Sequence, residues 1–168
     1  MELTFQFLMI FLTVQRIAEL YLSQKNEKWI LAQGGFLVAE KNYFFMVLLH
    51  SLWIACYLYQ AFFNSLEIQF FSFVLGLFLF LLGQILRLVA IFTLKKRWST
   101  RIFIMPNEPI IRHGIYHYLR HPNYVGVVLE ILAVPLMIQD FYGMLGFSLA
   151  NAIILYFRLQ KEEAALCR

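Results

Sequence analysis

The densest titratable chemistry in the chain lies between Arg112 and Glu130, RHGIYHYLRHPNYVGVVLE. Three of the four histidines fall here (His113, His117 and His121) beside Arg112 and Arg120, and Gly114, Pro122 and Gly126 interrupt the run. Four-residue spacing would stack the imidazoles on one face of a continuous helix, which is a metal-ligand pattern. Pro122 argues against it, because the residue before a proline is pushed out of helical geometry. His50 is the only further histidine, too few for a multi-histidine di-iron centre, so no metal is expected.

Other polar residues stand inside apolar stretches. Arg16 and Glu19 are three apart and share a helix face, either as a snorkelling pair near the interface or as the wall of a polar cavity. His50 reads first as a hydrogen-bonded packing residue. Cys56 and Cys167 form no CxxC and are expected to be free thiols; Cys167 does not make a prenylation box. No cleavable signal is expected, since the first span follows only Met1 and Glu2.

These residues must be positioned by membrane helices. The chain is 61% hydrophobic, 18% aromatic and 14% charged, with a mean hydropathy of +0.69. That excludes a soluble globule of this size and points to an all-α polytopic integral membrane protein, one domain over 1–168. The net charge of +4 reads as topology and not as nucleic-acid affinity. Apolar runs predict spans over about Leu3–Leu22, Tyr43–Phe63, Phe70–Leu94, Tyr124–Ile138 and Met144–Leu159. Residues 23–42 are a polar connection with Lys25, Lys28 and Lys41, broken at Gly34-Gly35. Lys95-Lys96-Arg97-Trp98 is a basic turn, and Pro106 and Pro109 make 105–110 a loop. The last two runs are short, about 23 Å each at 1.5 Å per residue, and form a C-terminal helical hairpin that is tilted or partly re-entrant.

Lys and Arg number three in 23–42 and six in 95–123, and none in 64–69 or 139–143. Five spans with an outward N-terminus therefore put every basic connection on the cytoplasmic side of a bacterial cell membrane. The cassette and the acidic tail fall on that same side.

From Gly114-x-Tyr116 onward, Arg120-His121-Pro122-x-Tyr124-x-Gly126 resembles the signature of the isoprenylcysteine carboxyl methyltransferase family. Arg158-x-x-x-Glu162-Glu163-x-x-Leu166 resembles that family's closing helix, and the likeness covers roughly 95–168. The resemblance implies S-adenosylmethionine as cofactor and a cytosolic pocket for it. Tyr116 and Tyr124 would offer aromatic faces to adenine or sulfonium. Pro122 and Gly126 would let backbone approach the ligand. His121, Glu162 and Glu163 would complete the cofactor site, with Arg158, Glu163 and Arg120 as catalytic candidates. In-line methyl transfer to an ionised oxygen needs alignment more than a general base.

The run Trp98-Ser99-Thr100-Arg101-Ile102, with Asn123-Tyr124-Val125 and Glu130, is more similar to a short bacterial branch of that family, associated with alkylpyrone O-methylation. On that likeness Trp98, Arg101 and Glu130 would meet the acceptor, a lipophilic small molecule or lipidated chain taken from the bilayer. Glu130 has a second reading, a buried acid paired with an arginine such as Arg87. Two other classes stand beside the O-methyltransferase: an NADPH-dependent sterol-type reductase, suggested by the basic loop, and a non-enzymatic membrane scaffold or carrier.

Overall fold

The computed structural model describes residues 1–38, 43–106 and 108–166; Lys41, Cys167 and Arg168 lie outside them. Among the described residues five α-helices carry the chain: α1 (Glu2–Ala32), α2 (Tyr43–Phe63), α3 (Phe70–Leu94), α4 (Pro122–Met137) and α5 (Phe141–Leu166). Four of them, all but α4, are long and apolar enough to cross a membrane. The protein is an all-α polytopic membrane protein, with one small strand pair tacked onto the bundle.

Two helices run further than hydropathy predicts. The first span does not end at Leu22. Helix α1 continues to Ala32, so its 31 residues reach about 46 Å, well beyond a hydrocarbon core of about 30 Å. Its polar extension is held by the connection after α3: the Asn26 amide donates to the carbonyls of Lys95 (3.2 Å) and Trp98 (2.8 Å). The Thr100 amide donates to Ser23 Oγ at 2.9 Å. Gly34, at φ +81°, and Gly35, whose N–H returns to Ile30 O at 3.0 Å, then close the helix. Beyond it Phe36–Leu37 (β1) pairs antiparallel with Phe103–Ile104 (β2).

The fifth run is likewise not a 15-residue piece. Helix α5 has 26 residues. Asp140 accepts from the Gly143 amide at 2.9 Å and starts it early, and its last turns are residues of good helix propensity. Helix α4, at 16 residues, stays short.

The apolar core gathers at one end of the bundle: Phe5, Met9 and Leu12 of α1, Trp53 and Tyr57 of α2, and Ile131, Val134 and Met137 of α4 are all essentially buried. The Tyr57 hydroxyl donates to Asp140 at 2.9 Å and ties α2 to the α4–α5 turn. Helices α3 and α4 meet backbone to backbone. A Cβ at Gly83 would stand 2.9 Å from Gly126 O, and one at Gly126 would stand 2.7 Å from Gly83 O. Small residues permit this approach where lipid gives no hydrophobic drive for helix association.

Gly83→Leu should therefore force α3 from α4 at a cost of about 1–3 kcal/mol, whereas Gly146→Ala, facing open space, should be neutral or stabilising. Thermal unfolding of the two variants in detergent micelles checks the contrast.

Candidate active site

At the other end of the bundle the C-terminal half of α1, the start of α2, the end of α3, the 95–121 connection and the end of α5 surround a cavity of about 1630 Å³. It is larger than a usual small-molecule pocket of about 300–1,000 Å³, and leaves room for two ligands. Its walls mix lipid-like residues such as Val47, Ile54 and Leu155 with titratable ones.

The polar corner is built from α4 and α5. Pro122 opens α4, and His121 caps it in a non-helical conformation (φ −132°). That turn brings the His121 ring over Tyr124, stacked with centroids 5.4 Å apart and planes 8° from parallel. The Tyr124 hydroxyl donates to Glu162 and accepts from Arg158 Nε at 2.7 Å. Arg158 is buried, and its Nη2 also donates to Thr100 O at 2.7 Å. Glu162 and Glu163 lie 3.8 and 3.5 Å from the nitrogens of His121, and Arg120 lies 3.6 Å from Glu163.

The structure thus brings together Arg120, His121, Tyr124, Arg158, Glu162 and Glu163, residues from two separated stretches of sequence. Tyr116 lines the same cavity from the short 3₁₀ turn Gly114–His117. Burial, with the negative charge of Glu162 adding to it, pushes the Tyr116 phenol above its ordinary range, so it remains a hydroxyl at neutral pH. Trp98 is buried in the wall, and Arg101 lies over the Tyr43 ring at 4.7 Å.

Three expected site residues sit elsewhere. Pro122 and Gly126 do not line the cavity: Pro122 is fully buried as the first residue of α4, and Gly126 is taken up by contact with α3. Glu130 does not line it either. Its carboxylate is the hub of a buried network, accepting from Arg16 and from Gln84 Nε2 (2.8 Å), with Arg87 Nε 3.4 Å away. Glu19 accepts from Arg16 at 2.5 Å and from Arg87, and Gln15 donates to Gln84 at 2.6 Å. Arg16, Glu19 and Arg87 also form the deep floor of the cavity, so the α1 pair belongs to a polar wall and not to the interface.

The three spaced histidines do not form one helical face. His113 precedes the 3₁₀ turn, His117 ends it and His121 caps α4. Among the described residues no three His, Cys, Asp or Glu side chains are grouped to hold a metal ion. Sequence reasoning missed Met46, Thr100 and Tyr43 as partners of the corner. Met46 Sδ takes Arg158 Nη1 at 3.3 Å, and the Tyr43 hydroxyl reaches Thr100 Oγ1 at 3.1 Å. No residue type marks a backbone carbonyl or a thioether in this role.

A family model described as the isoprenylcysteine carboxyl methyltransferase (ICMT) family matches residues 74–168. The chain belongs to that family. It is by that membership a membrane methyltransferase. It is 33% identical over 163 residues to the uncharacterized protein YpbQ of Bacillus subtilis (strain 168), covering 96% of both chains. It is 28% identical over 138 residues to the protein-S-isoprenylcysteine O-methyltransferase of Dictyostelium discoideum, covering 79% of this chain and 56% of that one. The Schizosaccharomyces pombe protein of the same name is 33% identical over 87 residues, 51% of this chain and 37% of its own. No solved structure matches. The matched family region holds the cassette and the closing helix, while Arg16 and Glu19 lie before it.

Removing Glu130 would leave the guanidiniums of Arg16 and Arg87 with Glu19 as their one remaining carboxylate in this network. Glu130→Ala should cost about 3–5 kcal/mol, and Glu130→Gln, which keeps the hydrogen bond to Gln84, clearly less. The yield of monodisperse protein and its unfolding temperature in detergent report the difference.

Proposed function

We propose that this protein is an S-adenosylmethionine-dependent O-methyltransferase that methylates an acidic oxygen of a lipophilic acceptor drawn from the bilayer. The observation that carries the reading is the corner where Tyr124, Arg158 and Glu162 are joined beside His121, within a cavity that is polar at this end and apolar along its flank.

The residues fit the donor. Its ammonium and ribose hydroxyls call for acceptors, and Glu162 supplies a carboxylate at the cavity wall. Asn123 adds a buried Oδ1 that has no hydrogen-bond partner among the described residues. The donor's carboxylate calls for cations, and Arg120, with its side chain 85% exposed, is free to turn toward it. Tyr116 and Tyr124 provide aromatic faces for adenine or for the sulfonium. When bound, this cofactor supplies an electrophilic methyl group.

The chain's own work is positional. Arg158 holds the Tyr124 hydroxyl and the 95–100 connection in one register, so the ring that faces the donor and the wall that faces the acceptor move as a unit. Glu162, more buried than Glu163 and bonded to Tyr124, is the glutamate assigned to the donor, and Glu163 with Arg120 closes the rim. Trp98 and Arg101 border the acceptor's path. The acceptor is a prenylcysteine carboxylate or an alkylpyrone-like enol; both pair an acidic oxygen with an apolar tail. The lysines and arginines of the connections at this end support a cytoplasmic orientation for it.

Equilibrium binding of labelled S-adenosylmethionine to purified protein tests the reading. Wild type should bind it and Glu162→Ala should bind it at least about tenfold more weakly, the loss of one charge-assisted hydrogen bond. Arg158→Ala should abolish methyl transfer while still inserting in membranes. Preference for NADPH over the methyl donor, or full activity in both variants, would overturn it.

A further inference from the structure

The cavity holds a titratable side chain that the donor corner does not use. His50 lies on α2, one turn beyond Met46, and lines the cavity with Arg16. Its Nδ1 stands 2.7 Å from the Met46 carbonyl oxygen. A carbonyl can only accept, so Nδ1 carries the hydrogen, and in the neutral ring Nε2 presents a lone pair. Among the described residues nothing bonds to that nitrogen. The charged groups that act on the ring are Arg16, Glu130 and Arg158. Arg16 gives its terminal nitrogens to Glu19 and Glu130, but its Nε is buried without a partner.

We propose that His50 is the residue that takes the proton from the acceptor, and that the acceptor is a weakly acidic hydroxyl, enol or phenol, on an apolar chain. The inference rests on the methyl-transfer reading above. The Nε2 lone pair is complementary to a hydroxyl, which can donate to it. A carboxylate is repelled by the lone pair and needs no base. Apolar Val47 and Ile54 on the same helix suit the chain that carries the hydroxyl. In the step itself the acceptor's O–H bond breaks, an N–H bond forms at Nε2, and the electron pair stays on oxygen. Methylation of that oxygen by the sulfonium donor discharges it, and the imidazolium releases its proton to water in the cavity.

The probe is 2-dodecyl-4-nitrophenol, whose phenolate is yellow, added without methyl donor in buffer below its own pKa. Wild type should bind the probe as phenolate. His50→Asn keeps a donor near the place of Nδ1 and removes Nε2, so it should bind the probe but leave it colourless. It should also bind labelled S-adenosylmethionine like wild type and transfer methyl groups to the phenol about 10²-fold more slowly. His50→Gln is the second variant, with the same expectation.

A colourless probe on wild type, or equal colour on all three proteins, overturns the role of His50. Tighter binding of hexadecanoate than of the phenol overturns the hydroxyl class. Loss of donor binding in both variants assigns His50 to the fold and overturns the proposal. Failure of wild type itself to bind the donor overturns the methyl-transfer reading on which it rests.

Discussion

Charge neutrality inside the bilayer is the constraint on which this structure turns. Arg16 and Glu19 on α1, Arg87 on α3 and Glu130 on α4 are two cations and two anions, all largely buried within the helices. None could remain at that depth alone. Together they satisfy one another, with Gln15 and Gln84 filling remaining sites, and the arrangement admits one register of the three helices. A helix slid by one turn would leave a carboxylate or a guanidinium facing hydrocarbon. Buried ionic groups often add less stability than apolar packing would, and are better understood as fixing register.

That register sets the geometry of the cavity end. Helix α4 is locked to α3 by the network midway and by the Gly83–Gly126 contact nearby, so its first turn, carrying His121 and Tyr124, has a fixed place. The overlong ends of α1 and α5 then frame the 95–121 connection. Ser23 and Asn26 pin one side of it, and Arg158 pins the other through Thr100. Polar chain that would otherwise be a mobile loop over the membrane surface becomes a wall. The cavity combines an apolar flank with a charged floor and a charged rim, which a lipophilic substrate and a polar cofactor can share.

Much of this was legible residue by residue. Long uncharged runs declared the membrane class, and the uneven placement of lysine and arginine placed the cassette and the Glu162-Glu163 tail at the same end. The family likeness lay in motifs whose spacing survives without any structure. Two pairings inside the network, Arg16 with Glu19 and Glu130 with Arg87, were also visible as pairs. That they form one network was not, because the contacts cross more than sixty residues of sequence.

The sequence alone determined the solvent this protein lives in, the number of helices and the chemical character of its site, because hydropathy, charge placement and short motifs are local properties. Tertiary structure decided the rest. Hydropathy ends a helix where apolar residues end, yet α1 and α5 continue because their polar turns find partners or simply favour the helix. Gly126 resembles a ligand-approach glycine in its motif, but it serves the α3 backbone, and Glu130 resembles a pocket residue but serves two arginines. Which partner a glycine or a buried carboxylate meets depends on helices distant in sequence, and only their packing specifies it.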